Sequence, residues 1–145
     1  MPDDPAILLV DRNDLVRSTA RTMVKNKCPK LRFFETDRFE SALRLVAERR
    51  PQVVVTDIHL KSGNGLSLTE TIAARFPGIA VVVFTSDDGP EYREEALRRG
   101  AAHFISKTES TGSALADIVR NLLIDCAELR NGPRWIRKRP ISPRR

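Results

Sequence analysis

Two cysteines and two histidines in 145 residues are too few and too scattered for a disulfide framework or a structural zinc site. Cys28 and Cys126 have no second Cys or His at metal-ligand spacing, so idle thiols in a reducing compartment are expected. No apolar stretch approaches the ~20 residues a membrane span needs, and Met-Pro-Asp-Asp-Pro at the N-terminus is not a signal peptide. A cytoplasmic location follows as the expectation. Acids are missing altogether from residues 131–145, which carry Arg134, Arg137, Lys138, Arg139, Arg144 and Arg145. Taking those six from the chain's 25 basic residues leaves 19 basic against 19 acidic, so the net charge of +6 belongs to the tail and the body is neutral.

Five apolar runs alternate with five amphipathic segments. The runs are Ala6 to Val10, Leu31 to Phe34, Val53 to Thr56, Ile79 to Phe84 and Ala102 to Ile105. Helices are expected over about Asp14 to Lys27, Arg38 to Arg49, Leu66 to Arg75, the segment opened by Asp87-Asp88-Gly89-Pro90 and closed by Gly100, and Gly112 to Leu129. Asp37 is placed as the second helix's N-cap. Leu15, Thr19 and Met23, with Val16 beside them, are placed on the inner face of the first, and Phe39, Ala42, Leu43 and Val46 on that of the second. Strand–helix repetition of this kind gives an α/β fold with a parallel sheet, right-handed crossovers and helices on both faces. Residues 1–130 read as one domain. From Asn131-Gly132-Pro133 onward the periodicity stops, and three prolines with six cations in 131–145 read as a disordered basic tail.

The strand ends carry the chemistry. Val53-Val54-Val55-Thr56 closes on Asp57, Ile7 to Val10 on Asp11, the fourth run on Thr85-Ser86, and the fifth on Ser106-Lys107. Open α/β sheets bind ligands at the carboxyl ends of their strands. A nucleophilic carboxylate, a second acid, a hydroxyl and an ammonium on neighbouring strand ends suit acceptance of a phosphoryl group, where catalysis is mostly positioning and charge neutralisation.

Four segments in order, Ile7-Leu8-Leu9-Val10-Asp11, Asp57-Ile58-His59-Leu60 with Gly63-Asn64-Gly65, Phe84-Thr85-Ser86, and Gly100 to Lys107, resemble the receiver domain of two-component response regulators over about Ala6 to Leu129. The resemblance implies a flavodoxin-like, five-stranded (βα)5 fold. It also implies a phosphorelay signalling protein, not an enzyme in the usual sense; with no second globular unit or helix-turn-helix pattern in the residues given, no output domain is expected among them. Carried over residue by residue, Asp57 is the phosphoacceptor, Lys107 pairs with the phosphoryl group, Thr85 hydrogen-bonds it, and Phe104 swings inward behind Thr85 as a switch. Mg²⁺ is implied at Asp11, Asp57 and the backbone carbonyl of His59. Implied partners are a histidine kinase or phosphotransfer protein, and a second copy in a homodimer.

Arg12 departs from that pattern, because the family usually has a second acid there that ligates the metal directly. Opposed charges at about 4 Å are worth several kcal/mol at intermediate dielectric, so Arg12 is expected to weaken Mg²⁺ binding. Two placements are open to its guanidinium: against Asp57 in the metal's stead, or in solvent. Asn13 or Asp14 replaces the missing ligand only if the loop bends back. Lys61 and Thr108 stand where the family often has proline, and Thr108 is expected to change the path of the loop before the last helix.

The remaining candidates have plainer readings. The His59 imidazole is expected neither to ligate metal nor to act as a base, though its place beside Asp57 suits tuning of water access; His103 is structural or on the regulatory face. Asp87-Asp88 reads as an N-cap, and Glu91, Glu94 and Glu95 pair with Arg98 and Arg99 on a helix surface. Arg134, Trp135, Arg137, Lys138 and Arg139 suit contact with nucleic acid or an anionic surface, or else a solvated remnant. Two other functions stay open: a metal-independent pseudo-receiver that docks or dimerises, and a tail-driven nucleic-acid binder. A flavin carrier is set aside, since Asp11-Arg12-Asn13-Asp14 has no phosphate-cradling loop.

Overall fold

The computed structural model describes residues 4–108 and 112–131. Five strands, β1 (Ala6–Val10), β2 (Arg32–Thr36), β3 (Val53–Thr56), β4 (Ala80–Thr85) and β5 (His103–Ser106), alternate with α1 (Asp14–Lys27), α2 (Phe39–Arg49), α3 (Gly65–Arg75), α4 (Pro90–Arg98) and α5 (Gly112–Asn131). All strand pairs are parallel, in the order β2-β1-β3-β4-β5. The expected flavodoxin-like (βα)5 architecture is what forms.

Alternation along the strands sorts the core into two layers. Ile7 and Leu9 of β1, Val53 and Val55 of β3, and Val82 and Phe84 of β4 pack against Ala20 and Val24 of α1 and Leu115 and Val119 of α5. Leu8, Val10, Val54 and Val81 face the other way, onto Ala42 and Val46 of α2 and Leu68 and Ile72 of α3. Val83, Phe104, Ile58 and Leu66 meet Ala96 of α4. With both faces covered, β1 and β3 are buried at every residue, which is why they read as unbroken apolar runs.

Three local expectations are corrected. The inner face of α1 is Ala20 and Val24 with Val16 alongside, whereas Thr19 is exposed and Leu15 is 73% exposed. The buried stripe lies one residue on from the one the larger side chains suggest, at Val16, Ala20 and Val24, which share a cluster with Leu115, Ala116 and Val119 of α5. The residue before α2 is Arg38, not Asp37, with no side-chain cap; the Asp37 carboxylate faces Arg38 at 3.2 Å and Lys61 at 3.8 Å. Gly89, not Asp87 or Asp88, precedes α4, and Pro90 occupies its first turn. Glu95 does pair with both Arg98 and Arg99, at 2.5 Å each.

Candidate functional site

The register brings the chosen residues to one edge. Val10 lies opposite Thr56, Thr56 opposite Val83, and Thr85 opposite Ser106. Each ladder runs one residue further: Asp57 N–H donates to the Val10 carbonyl at 3.0 Å, and Lys107 N–H to the Thr85 carbonyl at 2.8 Å. With the Asp11 N–H on the Thr36 carbonyl at 3.1 Å, backbone bonds hold Asp11, Asp57 and Lys107 at the ends of β1, β3 and β5 along one edge of the sheet.

Their side chains meet. The Lys107 ammonium lies 2.7 Å from Asp11 Oδ2 and 3.0 Å from Asp57 Oδ2. Both acids are buried, at 5% and 9% exposure, so water screens the contact little. The other carboxylate oxygens accept backbone donors: Asp57 Oδ1 from Ile58 N–H at 2.6 Å, and Asp11 Oδ1 from Asn13 N–H at 2.9 Å. Two carboxylates against one ammonium leave the cluster one negative charge in excess.

Thr85 is fully buried, and its hydroxyl accepts the Asp87 N–H at 3.1 Å. The Phe104 ring is already packed inward among Val83, Ala96 and Ile58, with the Arg93 guanidinium 5.9 Å from its centre. His59, exposed, contacts Asp87 through Nε2 at 2.6 Å, joining the loop after β3 to the loop after β4. His103 is exposed at the start of β5.

Arg12 is exposed and makes no hydrogen bond or ion pair among the described residues; Lys107 is the cation on Asp57. Neither proposed replacement ligand turns inward. Asn13 caps α1, accepting the N–H groups of Leu15 and Val16 at 2.9 and 3.2 Å, and Asp14, 90% exposed, pairs with Arg17. Among the described residues no group of three His, Cys, Asp or Glu could hold a metal ion. Asp11 and Asp57 offer two oxygen donors of the kind a divalent ion takes, here bridged by the Lys107 ammonium, and the exposed Arg12 side chain adds none.

Arg17 is a participant the sequence did not disclose. Its guanidinium donates to the Asp11 carbonyl, pairs with Asp14, and reaches Glu35 of β2 at 3.1 Å. Burial alone would lower its pKa, but the bonds to Glu35 and Asp14 outweigh that and raise it. Spacing from Asp14 shows the i,i+3 pair, whereas the contacts with Asp11 and β2 need the fold. Gly65 is the second. It was legible only as part of a turn, yet a Cβ there would lie 1.8 Å from the Asp57 carbonyl oxygen.

The sequence profile of the response regulator receiver domain matches residues 7–120. The chain belongs to the response regulator receiver family. Curated relatives include the photosynthetic apparatus regulatory protein RegA of Rhodovulum sulfidophilum, 28% identical over 82% of this chain and 64% of that protein. The response regulator GacA of Pseudomonas viridiflava is 29% identical over 79% of this chain and 51% of its own length. The chain thus spans less than two thirds of these relatives. The solved receiver domain of an HD domain-containing protein from Pseudomonas fluorescens Pf-5 superposes with a TM-score of 0.79, covering 88% of this chain and 93% of that one at 22% identity. Receiver domains are phosphoacceptor signalling domains rather than enzymes in the usual sense. They work with histidine kinases or phosphotransfer proteins and generally bind Mg²⁺ at the phosphorylation site. No helix among the described residues is long and apolar enough to cross a membrane. Arg134, Trp135, Arg137, Lys138 and Arg139 lie outside the described residues. The boundary expected at 130–131 falls at the C-terminal end of α5, whose last residue is Asn131.

Proposed function

We propose that this receiver takes a phosphoryl group from a phosphohistidine onto Asp57, in the cytoplasm, with residues 1–130 as the acceptor unit. The observation that carries the reading is the Lys107 ammonium held between two buried carboxylates at 2.7 and 3.0 Å. In the transfer, the donor's P–N bond breaks as a P–O bond forms to Asp57, and the imidazole leaves with the electron pair. Lys107 shifts from the carboxylates to the arriving phosphoryl oxygens, whose charge it offsets. Thr85 accepts from the Asp87 N–H, and no hydrogen bond among the described residues uses its own hydroxyl proton, which suits donation to the phosphoryl group. An apolar recess of about 280 Å³, lined by Leu15, Val16, Thr19, Phe84 and Lys107 among others, opens beside the site and suits a side chain of the donor protein.

The test is incubation with acetyl phosphate and Mg²⁺, read by intact mass. One phosphoryl adduct is expected on the wild-type chain and none on Asp57→Ala. Absence of the adduct at every Mg²⁺ concentration would sink the reading.

One observation favours a second reading, a metal-independent receiver. Arg12 carries a charge that opposes a divalent ion and suits a phosphoryl group, and nothing else among the described residues engages it. On this reading Arg12 neutralises the phosphoryl group alongside Lys107, and the adduct forms equally well in EDTA. In its limiting form the site takes no phosphate, and the fold serves for docking or dimerisation.

A further inference from the structure

Lys107 lies between two hydroxyl residues, and both are fixed to the same carboxylate. Ser106 Oγ donates to Asp88 Oδ2 at 2.7 Å, and Thr108 Oγ1 donates to the same oxygen at 2.6 Å. The two hydroxyl oxygens are 2.9 Å apart, and the Thr108 N–H donates to Ser106 Oγ at 3.1 Å. The Lys107 N–H itself is tied to the Thr85 carbonyl at 2.8 Å. The segment 106–108 is therefore pinned on both sides of the lysine to the loop that follows β4.

Each hydroxyl has one proton, so both protons can serve Asp88 while Ser106 Oγ also accepts from the backbone. As a carboxylate, Asp88 has the lone pairs to accept both bonds on one oxygen. The hydroxyls of Thr108 and then Ser106 hold its carboxyl below the ordinary aspartate range. A proline at position 108 would lack the N–H that Thr108 gives to Ser106 Oγ and the hydroxyl it gives to Asp88. Side-chain bonding here does the stiffening that a proline ring does through its fixed φ.

We infer that Asp88 is a positioning residue for phosphoryl transfer: through Ser106 and Thr108 it fixes the backbone from which Lys107 reaches Asp11 and Asp57. This role rests on the phosphoacceptor reading of Asp57. Asp88 touches no reacting atom and acts only through where it holds the ammonium.

The experiment compares wild type with Asp88→Ala, Thr108→Val and Thr108→Ser, all in the full chain. Phosphorylation by phosphoramidate at fixed Mg²⁺ is followed by intact mass, and backbone hydrogen exchange is measured at Lys107 and Thr108. Asp88→Ala and Thr108→Val are expected to lower the rate at saturating donor about tenfold, a misplacement effect of about 1.4 kcal/mol, with half-saturation unchanged. Both are expected to speed exchange at the two amides while leaving the melting temperature in place. Thr108→Ser, which keeps the hydroxyl, is expected to behave as wild type. An adduct forming equally fast in wild type and Asp88→Ala would overturn the role of Asp88 and leave Asp57 as acceptor. A slower rate with unchanged exchange would overturn it too, and so would loss of rate in Thr108→Ser. No adduct on the wild-type chain would overturn both Asp57 and Asp88.

Discussion

Gly65→Ala is expected to destabilise the fold by about 3 kcal/mol, at the upper end of the usual overpacking range. The added Cβ would stand 1.8 Å from the Asp57 carbonyl oxygen, 2.8 Å from its carbon and 3.0 Å from Ile58 Cα. All three are backbone atoms, so no rotamer change relieves the clash. Gly65 also donates its N–H to the Ile58 carbonyl at 2.6 Å, which holds the start of α3 against the Asp57–Ile58 segment. Moving the helix away breaks that bond, and moving the peptide displaces Asp57. In thermal unfolding the cost appears as a fall of about 10 °C in midpoint. Gly78→Ala is the control, since a Cβ there meets nothing within 4 Å; it is expected to stay within about 0.5 kcal/mol of wild type. Equal midpoints for the two variants would show that the close approach at Gly65 is not a constraint.

Arg12→Asp is expected to tighten Mg²⁺ binding about thirtyfold, or about 2 kcal/mol. A pair of unit charges at about 4 Å is worth about 4 kcal/mol at an effective dielectric of 20, and the exposure of Arg12 calls for discounting that strongly. The substitution reverses the charge next to Asp11 and supplies the third oxygen donor that Asn13 and Asp14, engaged in a cap and an ion pair, do not provide. Titration calorimetry gives the affinity, and acetyl phosphate labelling with and without EDTA gives the consequence. In the variant the adduct becomes strictly Mg²⁺-dependent. If Mg²⁺ affinity does not rise, Arg12 is not what limits the metal.

The legible part of this molecule is what depends on local periodicity. Unbroken apolar runs closing on Asp11, Asp57 and Thr85 identify buried parallel strands and the residues at their ends, because burial on both faces leaves no room for alternation. The helices were harder. Leu15 is large and apolar yet exposed beside a recess, while small Ala20 carries the contact, and hydrophobicity by itself ranks them the other way. Asp87 and Asp88 precede a helix and resemble a cap. They bond instead to His59 and to Ser106 and Thr108, because the loops that follow β3 and β5 come within reach only in the folded sheet.

By itself, then, the sequence determined the sheet, the edge at which Asp11, Asp57, Thr85 and Lys107 gather, and their residue types, since strand period and turn chemistry act over a few residues. Tertiary structure alone decided which cation sits on Asp57. Arg12 is close in sequence to Asp11, yet the bridge is made by Lys107, 96 residues from Asp11 and 50 from Asp57. A backbone ladder aims Lys107 into the site from β5, whereas Arg12 leaves β1 on a loop that Asn13 turns outward into α1. Charge complementarity chooses among the groups that the backbone has already aimed, and that aim is set by strand register between segments far apart in the chain.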